Sequence, residues 1–146
     1  MEITVKIKKL DPRAILPERG SPQAAGADLC ALLDEDLIIS PGGTAFIHTG
    51  ITAEIPEGYA GFVFARSGLA SKQGIAPANK VGVVDSDYRG EYMVALFNHG
   101  SEPVAITHGQ RIAQLVIMPV VSAVFEETDI LSQTERGSGG FGSTGK

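Results

Sequence analysis

The sequence holds one cysteine, Cys30, and no tryptophan. A lone thiol forms no internal disulfide, so a reducing, cytoplasm-like compartment is the expected setting. Cys30 itself reads as a small core residue. Positive charge is scarce as well: twelve Lys and Arg stand against seventeen Asp and Glu, a formal net charge of −5. Such a chain lacks the basic field that coats nucleic acid, and no nucleic-acid partner is expected. Any anion it binds must be met by a few focused groups or by a metal. Long apolar runs are missing too. The longest, Leu115 to Val121, is interrupted by Pro119 and falls far short of the roughly 20 residues of a membrane helix. The first residues also lack the apolar run of a signal peptide. No membrane partner is expected. His48, His99 and His108 show none of the short spacings of a zinc site and read as structural or surface residues. No nucleophile–base pair is visible either, which leaves acyl transfer without support.

Glycine, by contrast, is abundant: 18 of 146 residues, about twice the usual ~7 %. With eight prolines it implies many turns between short elements. The length suits one domain. Period two dominates the pattern, beginning with Ile3, Val5 and Ile7 alternating with Thr4, Lys6 and Lys8. Similar runs recur near 36–40, 44–55, 58–66, 80–85, 91–98, 103–107, 111–118 and 120–126, separated by Gly- and Pro-bearing turns. That spacing predicts an all-β fold of the sandwich, barrel or jelly-roll kind. Only Ser67 to Gln73 reads as helix, with Ser67 as N-cap and Gly74 as its stop. Sheet edges left open in so small a β domain favour oligomerisation.

Several segments carry chemistry-bearing residues. Asp85-Ser-Asp-Tyr-Arg-Gly90 reads as a hairpin turn, or as the seat of a general base if Asp85, directly after Val81-Gly-Val-Val84, is partly desolvated. Ala65-Arg-Ser-Gly68 supplies an Arg, a hydroxyl and a Gly at the start of the one helix, either as an anion site or as plain capping. Asp28 and Gln114 are polar residues among apolar ones, fit for a strand interior or for a site. From Arg136 onward the sequence is a Gly-rich tail. It is a frayed end by composition, or an anion nest built from successive amides beside Arg136. Gly137 to Gly142 spells GxGxxG, but no helix-forming stretch follows, so a dinucleotide fingerprint or phosphate loop is not supported.

Taken together, five segments resemble the motifs of the homotrimeric deoxyuridine triphosphatase (dUTPase) family. In order they are AGADLCA at 25–31, ARSGLA at 65–70, NKVGVVDSDYRG at 79–90, GQRIAQLV at 109–116 and RGSGGFGSTG at 136–145. The resemblance implies a distorted jelly-roll of the β-clip type over 1–135, with 136–146 as a lid. It implies hydrolysis of dUTP to dUMP and pyrophosphate, with Asp85 activating water against the α-phosphorus. It assigns Arg66, Ser67, Gly68, Gln114, Arg136 and Ser138 to the phosphates. Asn79, Gly82, Val84, Asp85, Tyr88, Met93 and Phe141 fall to uracil and deoxyribose. Mg2+ is the implied cofactor, reached by Asp28 through water. Three subunits would share each site. A dCTP deaminase-like enzyme, or a catalytically silent trimeric β module, are the alternatives.

Overall fold

The computed structural model describes residues 2–140, and Phe141, which the resemblance assigns to uracil and deoxyribose, lies outside them. The longest strand, β12 (Arg111–Pro119), organises the larger sheet. Ala113 and Leu115 are buried on either side of the half-buried Gln114, as suits a strand covered by core on one side, while Ile112, buried beside Ala113, falls at a register shift. It pairs along its length with β7 (Tyr59–Ala65), from Ala113 opposite Ala65 to Pro119 opposite Tyr59. On its other side lies β3 (Ala27–Cys30), with Gln114 opposite Asp28 and a register shift near Arg111. Two short strands finish the edges, β2 (Glu18–Arg19) beside β3 and β9 (Gly82–Val84) beside β7.

A second sheet runs β5 (Thr44–Ile47), β10 (Val94–Asn98), β8 (Ile75–Pro77). Two antiparallel pairs complete the structure: β1 (Lys6–Lys9) with β6 (Ile51–Glu54), and β4 (Leu37–Ile39) with β11 (Val104–Ile106). The core collects the inward side chains of these layers. Leu29, Ile47, Ile51, Ile75, Leu96, Ile106 and Ile112 are all buried, each such side chain stabilising the fold by roughly 1.5–3 kcal/mol. Cys30 joins them as the sequence predicts. The fold is all-β with a jelly-roll-like arrangement. Among the described residues no helix is long and apolar enough to cross a membrane.

The one described helix, α1 (Ser67–Gln73), ends where expected. Gly74 is left-handed (φ 70°) and its N–H reaches the Ala70 and Leu69 carbonyls. A β-carbon there would stand 2.7 Å from the Gly100 nitrogen, so glycine is required twice over. Its start differs from the expectation. Arg66, not Ser67, is the N-cap, in extended conformation and with no side-chain cap bond. Ser67 already belongs to the first turn and its side chain is free for other work.

Other sequence expectations shift. The run 44–55 is two strands, because Gly50 (φ 69°) turns the chain between β5 and β6. The opening strand occupies 6–9 rather than starting at Ile3. Residues 120–126 form no strand: after Val120 N bonds the Gly58 carbonyl, the segment runs on exposed. Val121, Val124 and Phe125 are 93–96 % exposed. Most consequentially, residues 85–93 are not a hairpin. The strand before them pairs with β7 and the strand after them pairs with β5 and β8, so this loop crosses from one sheet to the other.

Candidate active site

That crossing opens a cavity of about 220 Å³ between the sheets. Asn79, Gly82, Val84, Asp85, Tyr88 and Met93 all line it. These are the described residues that the resemblance assigned to base and sugar. Leu29, Val63 and Pro77 supply an apolar floor, and a cavity with an apolar base and a few polar groups suits a small organic ligand.

Local backbone chemistry shapes its walls. The turn after β8 bonds Lys80 N to Pro77 O and Val81 N to Asn79 O. Lys80 adopts φ 67°, a conformation uncommon for a side-chain-bearing residue, which aims the neighbouring Asn79 at the cavity. A β-carbon on Gly82 would press to 3.2 Å from Val63 Cβ and 3.4 Å from Asn79 Nδ2. Glycine therefore keeps that wall thin. On the opposite wall Tyr88 Oη donates to the Glu91 carbonyl at 3.0 Å. A β-carbon on Gly90 would run into the Tyr88 ring, so the ring packs over bare backbone. The rings of Tyr88 and Tyr92 lie 6.2 Å apart. Burial pushes the Tyr92 phenol up from its ordinary value.

Asp85 departs from its expectation. It stands at the cavity mouth but is exposed, not partly desolvated. The apolar run before it does not bury it, because Val83 faces outward at 61 % exposure and only its neighbours turn inward. Side chains of short edge strands alternate faces even when every residue is apolar.

A second cluster sits at the far end of β7. Asp28, on β3, accepts from Arg66 Nε at 2.7 Å and from Arg111 Nη1 at 3.3 Å. Next to it Gln114 Nε2 donates to the Ala65 carbonyl at 2.8 Å. Gly26 leaves room for that amide, since a β-carbon would come within 2.6 Å of Gln114 Oε1. Ser67 and Gly68 follow directly, exposed, with open space at Gly68. Asp28, Arg66 and Gln114 thus lie together at this end of β7, with Ser67 and Gly68 next along the chain. Arg136 and Ser138 are not brought to them. They occupy an exposed turn in which Arg136 Nε donates to the Gly139 carbonyl at 2.8 Å.

Asp85 and Arg66 stand near opposite ends of β7. Val84 pairs with Gly61 at one end of β7, whereas Arg66 follows its other end. The chain from Gly61 to Arg66 spans ~16 Å at the rise of a strand. Among the described residues no group of three or more His, Cys, Asp or Glu is placed to hold a metal.

Glu91, Arg111, His48, Gly26 and Gly90 escaped the sequence reading of the site. Arg111 lay inside a recognised motif, but its partner Asp28 is far away in sequence. The glycines carry their meaning only through the side chain each one makes room for.

A family model described as dUTPase matches residues 12–145. A deoxyuridine 5'-triphosphate nucleotidohydrolase of Desulfitobacterium hafniense is 51 % identical, covering 99 % of this chain and 97 % of the relative. The protein of the same name from Syntrophotalea carbinolica is 48 % identical, with 98 % and 97 % covered. Among solved structures, a mutant dUTPase of Staphylococcus bacteriophage 80alpha with dUpNHpp superposes with a TM-score of 0.88. It is 29 % identical, with 98 % of this chain and 99 % of that one covered. A mutant dUTPase of phage phi11 of S. aureus, reported with a structural Mg(II) ion, gives 0.77 at 25 % identity, covering 88 % and 98 %. Motif order, sheet architecture, the cavity between the sheets and these full-length matches agree, and the chain belongs to the dUTPase family.

Proposed function

We propose that the protein hydrolyses dUTP to dUMP and pyrophosphate. The observation that carries this reading is the cavity, which gathers Asn79, Gly82, Val84, Tyr88 and Met93 with Asp85 at its mouth. A pyrimidine fits the apolar floor, and the Asn79 amide with nearby backbone groups reads its polar edge. The thin wall at Gly82 admits a flat ring and leaves no space for a methyl at its 5-position. Tyr88 lies against the deoxyribose and excludes a 2′-hydroxyl.

Asp85 takes a proton from a water that attacks the α-phosphorus in line, the α–β bridging oxygen leaves with pyrophosphate, and dUMP remains. An exposed carboxylate at the mouth suits this role once substrate covers it. Arg66, Ser67, Gly68 and Gln114 bind phosphate oxygens, Arg66 through a guanidinium already oriented by Asp28. Arg136, Ser138 and Phe141, on the Gly-rich segment, complete the clamp when that segment closes as a lid.

Both Asp28 oxygens are engaged by guanidinium groups, which argues against a metal caged by protein. The donor set fits Mg2+ carried on the triphosphate, with Asp28 reaching it through water, as this ion's retained hydration allows. When bound, the ion would offset the substrate's negative charge beside an acidic protein.

The separation of Asp85 from Arg66 within one chain supports sites shared in a homotrimer. The triphosphate between an α-phosphorus at Asp85 and its terminal group is shorter than the strand dividing them. Phosphate groups of one subunit then serve the cavity of another. Residues 120–131 support the same reading, since Val121, Val124, Phe125, Ile130 and Leu131 are 81–96 % exposed and need a neighbour to cover them. A reducing, cytoplasmic setting suits the lone Cys30.

A product-release panel with Mg2+ tests the reading. Pyrophosphate from dUTP, with little from dTTP, dCTP or UTP, is expected. Ammonia from dCTP would indicate a deaminase, and no product from any nucleotide a silent module.

A further inference from the structure

The loop that carries Asp85, Tyr88 and Met93 is tied at its far end to the turn between β5 and β6, and its own contribution to that tie is Glu91. One carboxylate oxygen, Oε1, accepts from the Gly50 backbone N–H at 2.8 Å. The other, Oε2, lies 2.8 Å from His48 Nδ1, which donates to it. The receiving turn is tightly packed. Gly50 is left-handed, and a β-carbon there would meet Leu32 Cδ2 at 2.6 Å and Ala14 Cβ at 2.9 Å. The remaining ties are bonds to the loop's backbone, which any side chains there would permit. Thr52 Oγ1 donates to the Arg89 carbonyl at 2.9 Å, Thr49 Oγ1 to the Tyr92 carbonyl, and Tyr92 N to the Ile51 carbonyl at 2.9 Å.

Glu91 is also the residue whose carbonyl receives the Tyr88 hydroxyl. The side chain that fixes the loop and the carbonyl that fixes the ring belong to one residue, which itself lines the cavity. We infer that Glu91 is a positioning residue for nucleotide selection: its carboxylate, seated between His48 and Gly50, holds the Tyr88 ring at the distance that excludes a 2′-hydroxyl. This rests on the proposed reading of the cavity as a nucleotide site, and it deepens that reading. Without the anchor the Glu91 backbone drifts, the Tyr88 ring follows, and the sugar slot widens. Glutamine restores the geometry, because its carbonyl accepts from Gly50 N and its amide donates to a neutral His48 ring.

The test compares wild type, Glu91→Ala, Glu91→Gln and His48→Ala, all as full-length chain. The readouts are the dUTP-to-UTP ratio of kcat/KM, the split between KM and kcat, and Tm. In Glu91→Ala the ratio should fall roughly tenfold, mostly through a higher KM for dUTP, with kcat within about threefold of wild type. Glu91→Gln should stay within about twofold of wild type in every measure, and His48→Ala should fall between. An unchanged ratio in Glu91→Ala, whatever happens to Tm, makes Glu91 a residue of the fold alone and overturns the inference. So does a Gln variant as impaired as the Ala one. If Glu91→Ala does not fold, His48→Ala decides: it keeps the Gly50 bond, and an unchanged ratio there overturns the inference equally. A wild-type protein that releases no pyrophosphate from dUTP would remove the nucleotide-site reading itself. An active wild type with indifferent variants removes only the role of Glu91.

Discussion

Asp28 Oδ1 stands 2.7 Å from Arg66 Nε, joining β3 to the residue that caps α1. The carboxylate takes the Nε edge and leaves the terminal nitrogens of the guanidinium for another partner. Arg66 is thus oriented before any anion arrives, which lowers the ordering cost of binding one.

Asp28→Asn should therefore weaken the phosphate end of the site. The neutral amide offers Arg66 and Arg111 less reason to stay in place, and kcat/KM for dUTP should drop about ten- to a hundredfold. Steady-state kinetics beside a thermal melt will check this. A kcat/KM equal to wild type would mean that Arg66 needs no carboxylate to hold its pose.

Asp85→Asn should leave fold and nucleotide affinity nearly intact, because shape and hydrogen-bonding capacity are kept. Turnover should fall by about 10²–10⁴, the usual worth of a positioned base. Binding of a non-hydrolysable dUTP analogue, followed by calorimetry, separates the two quantities. Turnover near that of wild type would take Asp85 out of the role of base.

Tyr88→Ala should narrow the preference for dUTP over UTP by opening the sugar slot. Gly90→Ala should do likewise without touching Tyr88, since the added methyl displaces the ring. If both variants keep the wild-type ratio, some other element rejects the ribose.

Sharing of sites predicts complementation. Arg66→Ala and Asp85→Asn chains should each be nearly inactive alone. Unfolded together and reassembled in equal amounts, they should regain about one intact site in four, because each functional half can come from a different subunit. Complete inactivity of the mixture would place both groups in the same chain's site.

The path from sequence to site can be read in particular residues. Period two found β7 and β12 almost to the residue, because long strands in the middle of a sheet must alternate. It missed Glu18–Arg19 and Ile75–Pro77, whose pairing depends on partners far along the chain. It placed a strand at 120–126 from alternation alone, although that segment is exposed and unpaired among the described residues. The five motifs located the cavity side chains, since local segments carry Asp85, Tyr88 and Asn79. They could not reveal that 85–93 bridges two sheets, or that Glu91 reaches back to His48, because those relations are fixed only by the packing of β5 against β10.

Cys30 ends β3 opposite Arg111, only 8 % exposed, and its thiol is pushed up, chiefly by burial and then by the nearby Asp28 charge. Being the chain's one sulfhydryl, it acts as a built-in clock for breathing of the strand that bears Asp28. Burial slows a thiol reagent, so the labelling rate should rise with local opening of β3 from β12. A nucleotide gripped at Arg66 would hold Asp28, and with it β3, and would slow that clock with no chemistry at the sulfur itself.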